Sequence, residues 1–514
     1  MTEVNPTNEN TNYISAPDTE TGKDAQHVPT NEEPSIKKNY IYNLLNKFVA
    51  LLIPILVTPY LSRVLEADGN GAISYVASVS SYFLLIANLG IETYGQRLIS
   101  MYRNDRSYLK RLFWEIFVLR SVITFLCIAI YLVIFLVISS GRNNLLYVVF
   151  AFNIIAVVLD FTWFFQGLEK FRLIALTNMV AKAAYVVIVL LFVKSKADMV
   201  LSALFTVAST VGPFLLSFPF VFRYIGGKVE GGIKPFSHLK ECMVYFVPTV
   251  AVQIYTVLDK TMIGLITRSD FENGYYEESE KIIKLTLTLI TSLFVIMRSR
   301  ISYYYSIGET ERIQSLIKKS ANVAFGLSLP IMFGMIAIAP KFIPVYLGDG
   351  YEKCITLIYA LSPLVPIISI SNLIGTHYYT PFNRQKTSNY FLIIGAVVNV
   401  VLNGVLITFY KSLGAAIASV CAEFIITTLY MIFARDFINI KGLLKTSVKY
   451  LIASIIMFVP VVLMDRVLPL SIGWLILEVL TGSVVYALSV LLLRVEFVWD
   501  LLKEIKSKIA RGKK

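Results

Sequence analysis

The hydrophobic residues of this chain fall in blocks of about 20, the length an α-helix needs to cross the hydrocarbon core of a bilayer. No other feature restricts the fold so strongly. In lipid every backbone N–H and C=O must be satisfied within the structure, so a spanning segment is a helix or part of a closed barrel. Barrel strands are shorter and alternate apolar with polar. These blocks are continuous and therefore read as helices. Composition agrees: 56% of the residues are hydrophobic and 16% charged, where soluble domains carry roughly 25% charge. The sequence describes an all-α integral membrane protein.

Fourteen spans can be drawn, at 40–64, 72–96, 113–138, 144–167, 173–193, 199–222, 242–267, 281–301, 320–345, 354–378, 388–409, 413–434, 446–465 and 469–493. With the N-terminus inside, roughly three in four of the Lys and Arg residues outside the spans fall on inner segments, which sets both termini in the cytoplasm. The same bias places the net charge of +13 against anionic headgroups, so no nucleic-acid partner is needed. Residues 1–35, rich in Thr, Asn, Glu and Pro, read as a disordered cytoplasmic tail without the apolar core of a signal peptide. Residues 495–514 read as a basic cytoplasmic tail or an amphipathic helix on the inner surface. The four cysteines form no C-x-x-C pair and read as small buried hydrophobes, with no metal or redox site. The longest outer loop is 268–280, "RSDFENGYYEESE". Loops this short hold no soluble domain, which argues against a membrane polymerase or glycosyltransferase and against an enzyme.

The chain also resembles itself. "DGNGAISY" at 68–75 falls on "FENGYYEE" at 271–278, aligning Asn70-Gly71 with Asn273-Gly274. At the same offset Arg97 to Tyr102 falls on Arg300 to Tyr305. Transporters are often built from such repeats. The expected architecture is an N-terminal six-helix bundle (36–225), a cytoplasmic linker (226–241), a C-terminal six-helix bundle (242–434) and two additional helices (435–494). An even number of helices per repeat places the pseudo-two-fold along the membrane normal, with a cleft between the bundles.

Charge within the spans is costly, about 2.5–3.5 kcal/mol per residue at mid-membrane on insertion scales. "QIYTVLDKTMIGLI" at 253–266 carries Asp259 and Lys260 side by side. Thr249, Gln253, Thr256 and Lys260 share one helical stripe, and Asp259 points about 100° away. Such a polar face belongs to a wet cavity or another helix. Lys47, in the proposed counterpart span, and Lys182 are further candidate cations, with Arg298 at an inner end. Asp160 and Glu423 are candidate acids, and Asn399 and Asn403 share a face. Lys47 and Arg298 could also snorkel to the interface. Trp163, Phe164 and Phe165 beside Asp160 suit an aromatic belt. The buried charges could instead be ion pairs that fix helix packing.

"IPILVTPYLSRVLEADGNGAISY" (53–75), "LGIETYGQRLIS" (89–100), "DFTWFFQGLEKFRLIALTNMVAK" (160–182) and "IYTVLDKTMIGLI" (254–266) together resemble the polysaccharide repeat-unit flippases, the Wzx-type transporters of the MATE-like exporter superfamily. The resemblance implies a bacterial cytoplasmic-membrane protein that moves an undecaprenyl-pyrophosphate-linked oligosaccharide to the outer leaflet by alternating access. It implies a largely cationic cavity and other polysaccharide-assembly proteins as partners. On that reading Lys47, Lys182, Lys260 and Arg298 serve the diphosphate, and Gln253, Asn399 and Asn403 the glycan. Asp160, Asp259 and Glu423 bind a coupling proton or sodium ion, or hold the lysines. A cation-coupled drug exporter would want a mainly acidic cavity. A peptidoglycan-precursor flippase is a second alternative.

Overall fold

The computed structural model describes residues 36–138, 143–226, 229, 232–500 and 503. The polar tail and most of the basic tail lie outside them. The described residues are helical, with no strand. In chain order the helices are α1 (Ile36–Asn88), α2 (Ile91–Tyr102), α3 (Arg106–Ile138), α4 (Asn144–Ala156), α5 (Thr162–Gly167), α6 (Phe171–Phe192), α7 (Met199–Ile225) and α8 (Leu239–Thr267). Then follow α9 (Asp270–Ser306), α10 (Thr310–Tyr346), α11 (Glu352–Leu361), α12 (Leu364–Ile374), α13 (Gln385–Tyr410), α14 (Ser412–Ala434), α15 (Ile440–Val467) and α16 (Ile472–Leu492). Large apolar side chains such as Phe125, Leu126, Val133, Leu191 and Leu480 stay exposed, as lipid-facing surface does.

Twelve helical stretches among the described residues are long and apolar enough to cross a membrane. Two features separate that number from fourteen. α1 has 53 residues and breaks at Glu66, where φ is 60° and ψ 179°. Unbroken, it would run roughly 80 Å, far beyond one crossing, and its two arms match the first two spans read from sequence. α8 matches the seventh span and is not among the twelve. Fourteen crossings therefore stand as a proposal resting on α1 and α8.

One boundary is corrected. Residues 270–280, read as outer loop, are the first turns of α9. The Ser269 side chain caps the helix by accepting from the Glu272 amide at 3.4 Å. A polar, charge-dense segment carries no hydrophobic period, so its helix is invisible to that signal. Glu277, Glu278 and Glu280 pair with Lys260 on α8 and with Lys281 and Lys284 further along α9, and Glu272 pairs with Lys353 on α11.

The two halves meet most closely through the repeated Asn-Gly pairs. A methyl group on Gly71 would fall 1.8 Å from the Asp270 carbonyl oxygen, and one on Gly274 would fall 1.8 Å from that of Ala67. Only hydrogen side chains let these backbones approach so closely. The two contacts exchange under the repeat offset, as a local two-fold requires. Further ties join the same ends. Ser74 donates to Glu277 at 2.7 Å, Ser62 to the Leu347 carbonyl at 2.7 Å, and Asn70 to the Tyr351 hydroxyl at 3.2 Å. By the charge-based orientation this sealed end is the outer one. At the other end, no side chain described between 36 and 54 makes a hydrogen bond or ion pair among the described residues.

A second correction concerns Trp163, Phe164 and Phe165. They are buried in an aromatic core with Phe113, whose ring centroid lies 5.9 Å from Trp163 and 5.1 Å from Phe164. They fix α5 against α2 and α3 rather than forming a belt at the interface. α15 and α16 dock on the C-terminal half through Tyr450 to Asn322 at 3.1 Å and Tyr486 to the Gly326 carbonyl at 2.8 Å. Cys127, Cys242 and Cys354 are buried, and all four cysteines are free.

Candidate functional site

Three polar centres lie inside the spans. The first lies in the N-terminal half, where the helix carrying Asp160 is interrupted. α4 ends in a 3-10 turn at 157–159, Asp160 is extended with ψ 98°, and α5 begins at Thr162. The freed backbone is capped locally: Asp160 Oδ1 accepts from the Thr162 amide at 2.9 Å. Arg120 on α3, only 1% exposed, donates to the Asp160 carbonyl at 2.5 Å, to its carboxylate at 3.2 Å and to Asn88 Oδ1 at 2.5 Å. Broken helices re-satisfied in this way line the substrate paths of transporters. Asp160 is thus the partner of Arg120. Arg120 lies within the span drawn at 113–138, but nothing in the sequence indicated a pairing 40 positions away.

The second centre joins three of the predicted residues. Asp259 on α8 is buried, and its carboxylate accepts from Asn403 at 2.6 Å, from Ser419 and from Tyr276. Asn403 also donates to Asn399 at 3.0 Å, and Asn399 to Ser419 at 3.3 Å. Asn399 and Asn403 are fully buried. In this conformation Asn403 bonds the Asp259 carboxylate directly and Asn399 joins it through Asn403 and Ser419. Asp259 has no ion pair among the described residues. Its donors are all neutral, and they come from α9, α13 and α14. Ser419 and Tyr276 were not singled out by sequence. Glu423 is half-buried one turn beyond Ser419 on α14.

The third centre surrounds Lys260. Its ammonium lies 2.8 Å from Glu277 and 3.3 Å from Glu280. Lys281 pairs with Glu277 at 3.3 Å and Glu278 at 2.9 Å, and Lys284 with Glu280 at 2.7 Å. Three ammonium groups and three carboxylates balance here. Lys260 and Asp259 do point apart, as the helical angle requires. The partners of Lys260 come from the segment misread as loop, not from Asp160, Asp259 or Glu423.

The remaining predicted residues are distributed as follows. Lys182 sits at the middle of α6, half-buried, and has no ion pair among the described residues. Tyr185 lies on the same face three residues on, 3.4 Å from the Thr206 hydroxyl on α7. Gln253 is half-buried and Arg298 exposed. The Lys47 side chain lies outside the described residues. A further buried ion pair, between Lys341 on α10 and Glu478 on α16, was missed. The signal was present, since Glu478 is the one acid in the 21-residue apolar α16.

Against known proteins, a family described as "Polysaccharide biosynthesis protein" matches residues 36–298. A protein of Escherichia coli (strain K12) named O-antigen transporter is 21% identical over 410 residues, covering 78% of this chain and 97% of that protein. Among solved structures, the lipid II flippase MurJ in an inward closed conformation superposes with a TM-score of 0.72 at 18% identity, covering 91% of this chain and 100% of that one. An inward-facing multidrug resistance MATE transporter of the MOP superfamily gives 0.55 at 13% identity, covering 80% and 96%. At these identities the two structures share the fold, a multi-pass helical membrane architecture. The family match spans more than half of the sequence, and the chain belongs to the polysaccharide biosynthesis protein family.

Proposed function

We propose that this protein moves a lipid-linked oligosaccharide from the inner to the outer leaflet of a bacterial cytoplasmic membrane, by alternating access between two six-helix halves. The carrying observation is Lys182. A half-buried ammonium at mid-span, without an ion pair among the described residues, costs about 2.5–3.5 kcal/mol on insertion scales. It is tolerable if that face lines a wet path, and useful if the cargo carries a diphosphate. Arg298, exposed near the end of α9, and Lys47 complete the cationic set of this reading. Gln253 offers an amide on the same path. The outer seal at Gly71, Gly274 and Ser74 supports a conformation closed to the outside. The repeat, the linker 226–241 and the additional helices 435–494 keep the roles that the sequence suggests, with both termini in the cytoplasm.

Lys260 has a different role in this reading. Its two carboxylates neutralise it in the closed state, so it is part of the outer seal and reaches cargo only when that seal parts. Asp259 is the coupling site. A buried carboxylate ringed by neutral donors, with no cation paired to it among the described residues, suits a proton or a sodium ion entering between α8, α9, α13 and α14. Asp160 and Glu423 serve the charge network. The test is a swap: the gene is placed in flippase-deficient strains that each build one known repeat unit, and surface glycan is measured. Restoration in at least one strain supports the reading. Failure in all, with the protein present in the membrane, contradicts it.

A further inference from the structure

We propose that a pocket at the inner end of the N-terminal half, formed by Tyr42, Asn46 and Gln166, is the subsite that recognises a sugar of the cargo; this rests on the flippase reading above. The pocket has a volume of about 100 Å³ and is lined by Tyr42 and Asn46 of α1, Gln166 of α5, and Phe171, Ile174 and Ala175 of α6. Tyr42 and Asn46 stand one turn apart on one helical face. None of the three polar side chains has a hydrogen-bond partner among the described residues, although all three are half-buried. Half-buried polar groups left unpaired by the protein are placed to bind something that enters.

The chemistry of the lining selects the class of ligand. Two carboxamides each donate and accept, as does a phenol. Tyr42 and Phe171 add aromatic faces. Among the described residues no charged side chain lines the pocket, which disfavours a diphosphate or a cation and favours a neutral group that both donates and accepts. Sugar hydroxyls and N-acetyl groups are of that kind. The space admits one edge of a sugar rather than a whole chain.

Gln166 is also held rigidly. A methyl on Gly95 would come 2.6 Å from the Trp163 ring, and one on Gly167 would come 2.6 Å from the Ile99 Cβ. α5 therefore packs on α2 with almost no space between them, and Arg103 pairs with Glu169 at 2.7 Å just beyond. A fixed helix turn presenting a free amide is the arrangement that gives a binding site its selectivity. α6 carries both this pocket, at 171–175, and Lys182, roughly 10–17 Å deeper along the helix. A cargo can thus place a sugar at the inner end while its diphosphate is drawn toward the lysine.

The test uses the purified full chain in nanodiscs and two probes. One is the lipid-linked repeat unit extracted from a strain that the wild type complements. The other is undecaprenyl diphosphate without sugar. Gln166→Met and Asn46→Leu keep side-chain size, and Tyr42→Phe keeps the ring, so at least one variant remains folded by its melting curve. Each is expected to bind the glycosylated lipid about tenfold more weakly, the loss of roughly one hydrogen bond, and the bare diphosphate as the wild type does. Equal weakening for both probes, or for neither, overturns the sugar subsite while leaving the flippase reading intact. A wild type that binds neither probe overturns this pocket as a cargo site, while failure to complement any strain is what overturns the flippase reading.

Discussion

Ser74 and Glu277 hydrogen-bond to each other at 2.7 Å across the boundary between the two halves, and each occupies the other's position in the internal repeat. A bond between a position and its own counterpart is what the proposed two-fold requires, at the end where the halves are sealed. If the outer face opens, these residues must part. With the four native cysteines replaced, Ser74→Cys combined with Glu277→Cys should cross-link on oxidation and stop glycan export, and reduction should restore it. Normal export by the cross-linked protein would show that the outer path does not open here.

Gly71 and Gly274 make the closest backbone approaches in this seal. An added methyl group would overlap a main-chain carbonyl at 1.8 Å in both cases, and backbone cannot yield as a flexible side chain can. Overpacking of this kind costs typically about 1–3 kcal/mol. Gly71→Ala and Gly274→Ala should lower the melting temperature in detergent and expose a cysteine placed at position 74 to an impermeant thiol reagent. Unchanged melting and labelling would mean that the halves do not close at these glycines.

Arg120 should be needed for folding rather than for transport alone. It is buried and holds the interrupted helix at Asp160 together with Asn88. Arg120→Ala leaves the Asp160 carboxylate without its cation, at a cost of roughly 3–5 kcal/mol. Membrane abundance should collapse, and adding Asp160→Asn should recover part of it. Full abundance of Arg120→Ala would show that the break in the helix stabilises itself.

Much of this could be read before any coordinates. The spans were legible because hydrophobic length is a local property. The divergence of Asp259 and Lys260 followed from the helical angle alone. Their partners did not. Asn399 and Asn403 share a face by spacing, but that they face Asp259 is set by how α13 packs on α8. Glu277 and Glu280 were hidden because a helix stabilised by its own charges carries no hydrophobic period. Arg120 and Asp160 meet only in the tertiary fold. Glu478 shows the converse: a lone acid in an apolar helix is a readable signal, yet its partner Lys341 lies 137 positions away.

Lys260 and Lys182 should fail in different ways. Lys260→Ala leaves three carboxylates facing two ammonium groups, and breaking such a buried network costs about 3–5 kcal/mol. The protein should be depleted from the membrane, and Glu277→Gln should rescue it, while Asp259→Asn should not. Rescue by Asp259→Asn, measured as abundance on immunoblots, would assign Lys260 the wrong partner.

The central claim is that Lys182, a mid-membrane lysine with no ion pair among the described residues, meets the diphosphate of the cargo. It is tested most directly by measuring export in a flippase-deficient strain that the wild type restores, with Lys182→Ala and Lys182→Arg at matched membrane abundance. Losing a charge-assisted contact of roughly 1.5–3 kcal/mol should slow export by at least about tenfold in Lys182→Ala, with lipid-linked repeat units accumulating on the inner leaflet. Lys182→Arg, which keeps the charge, should retain part of the activity. Wild-type export by folded Lys182→Ala would contradict the account.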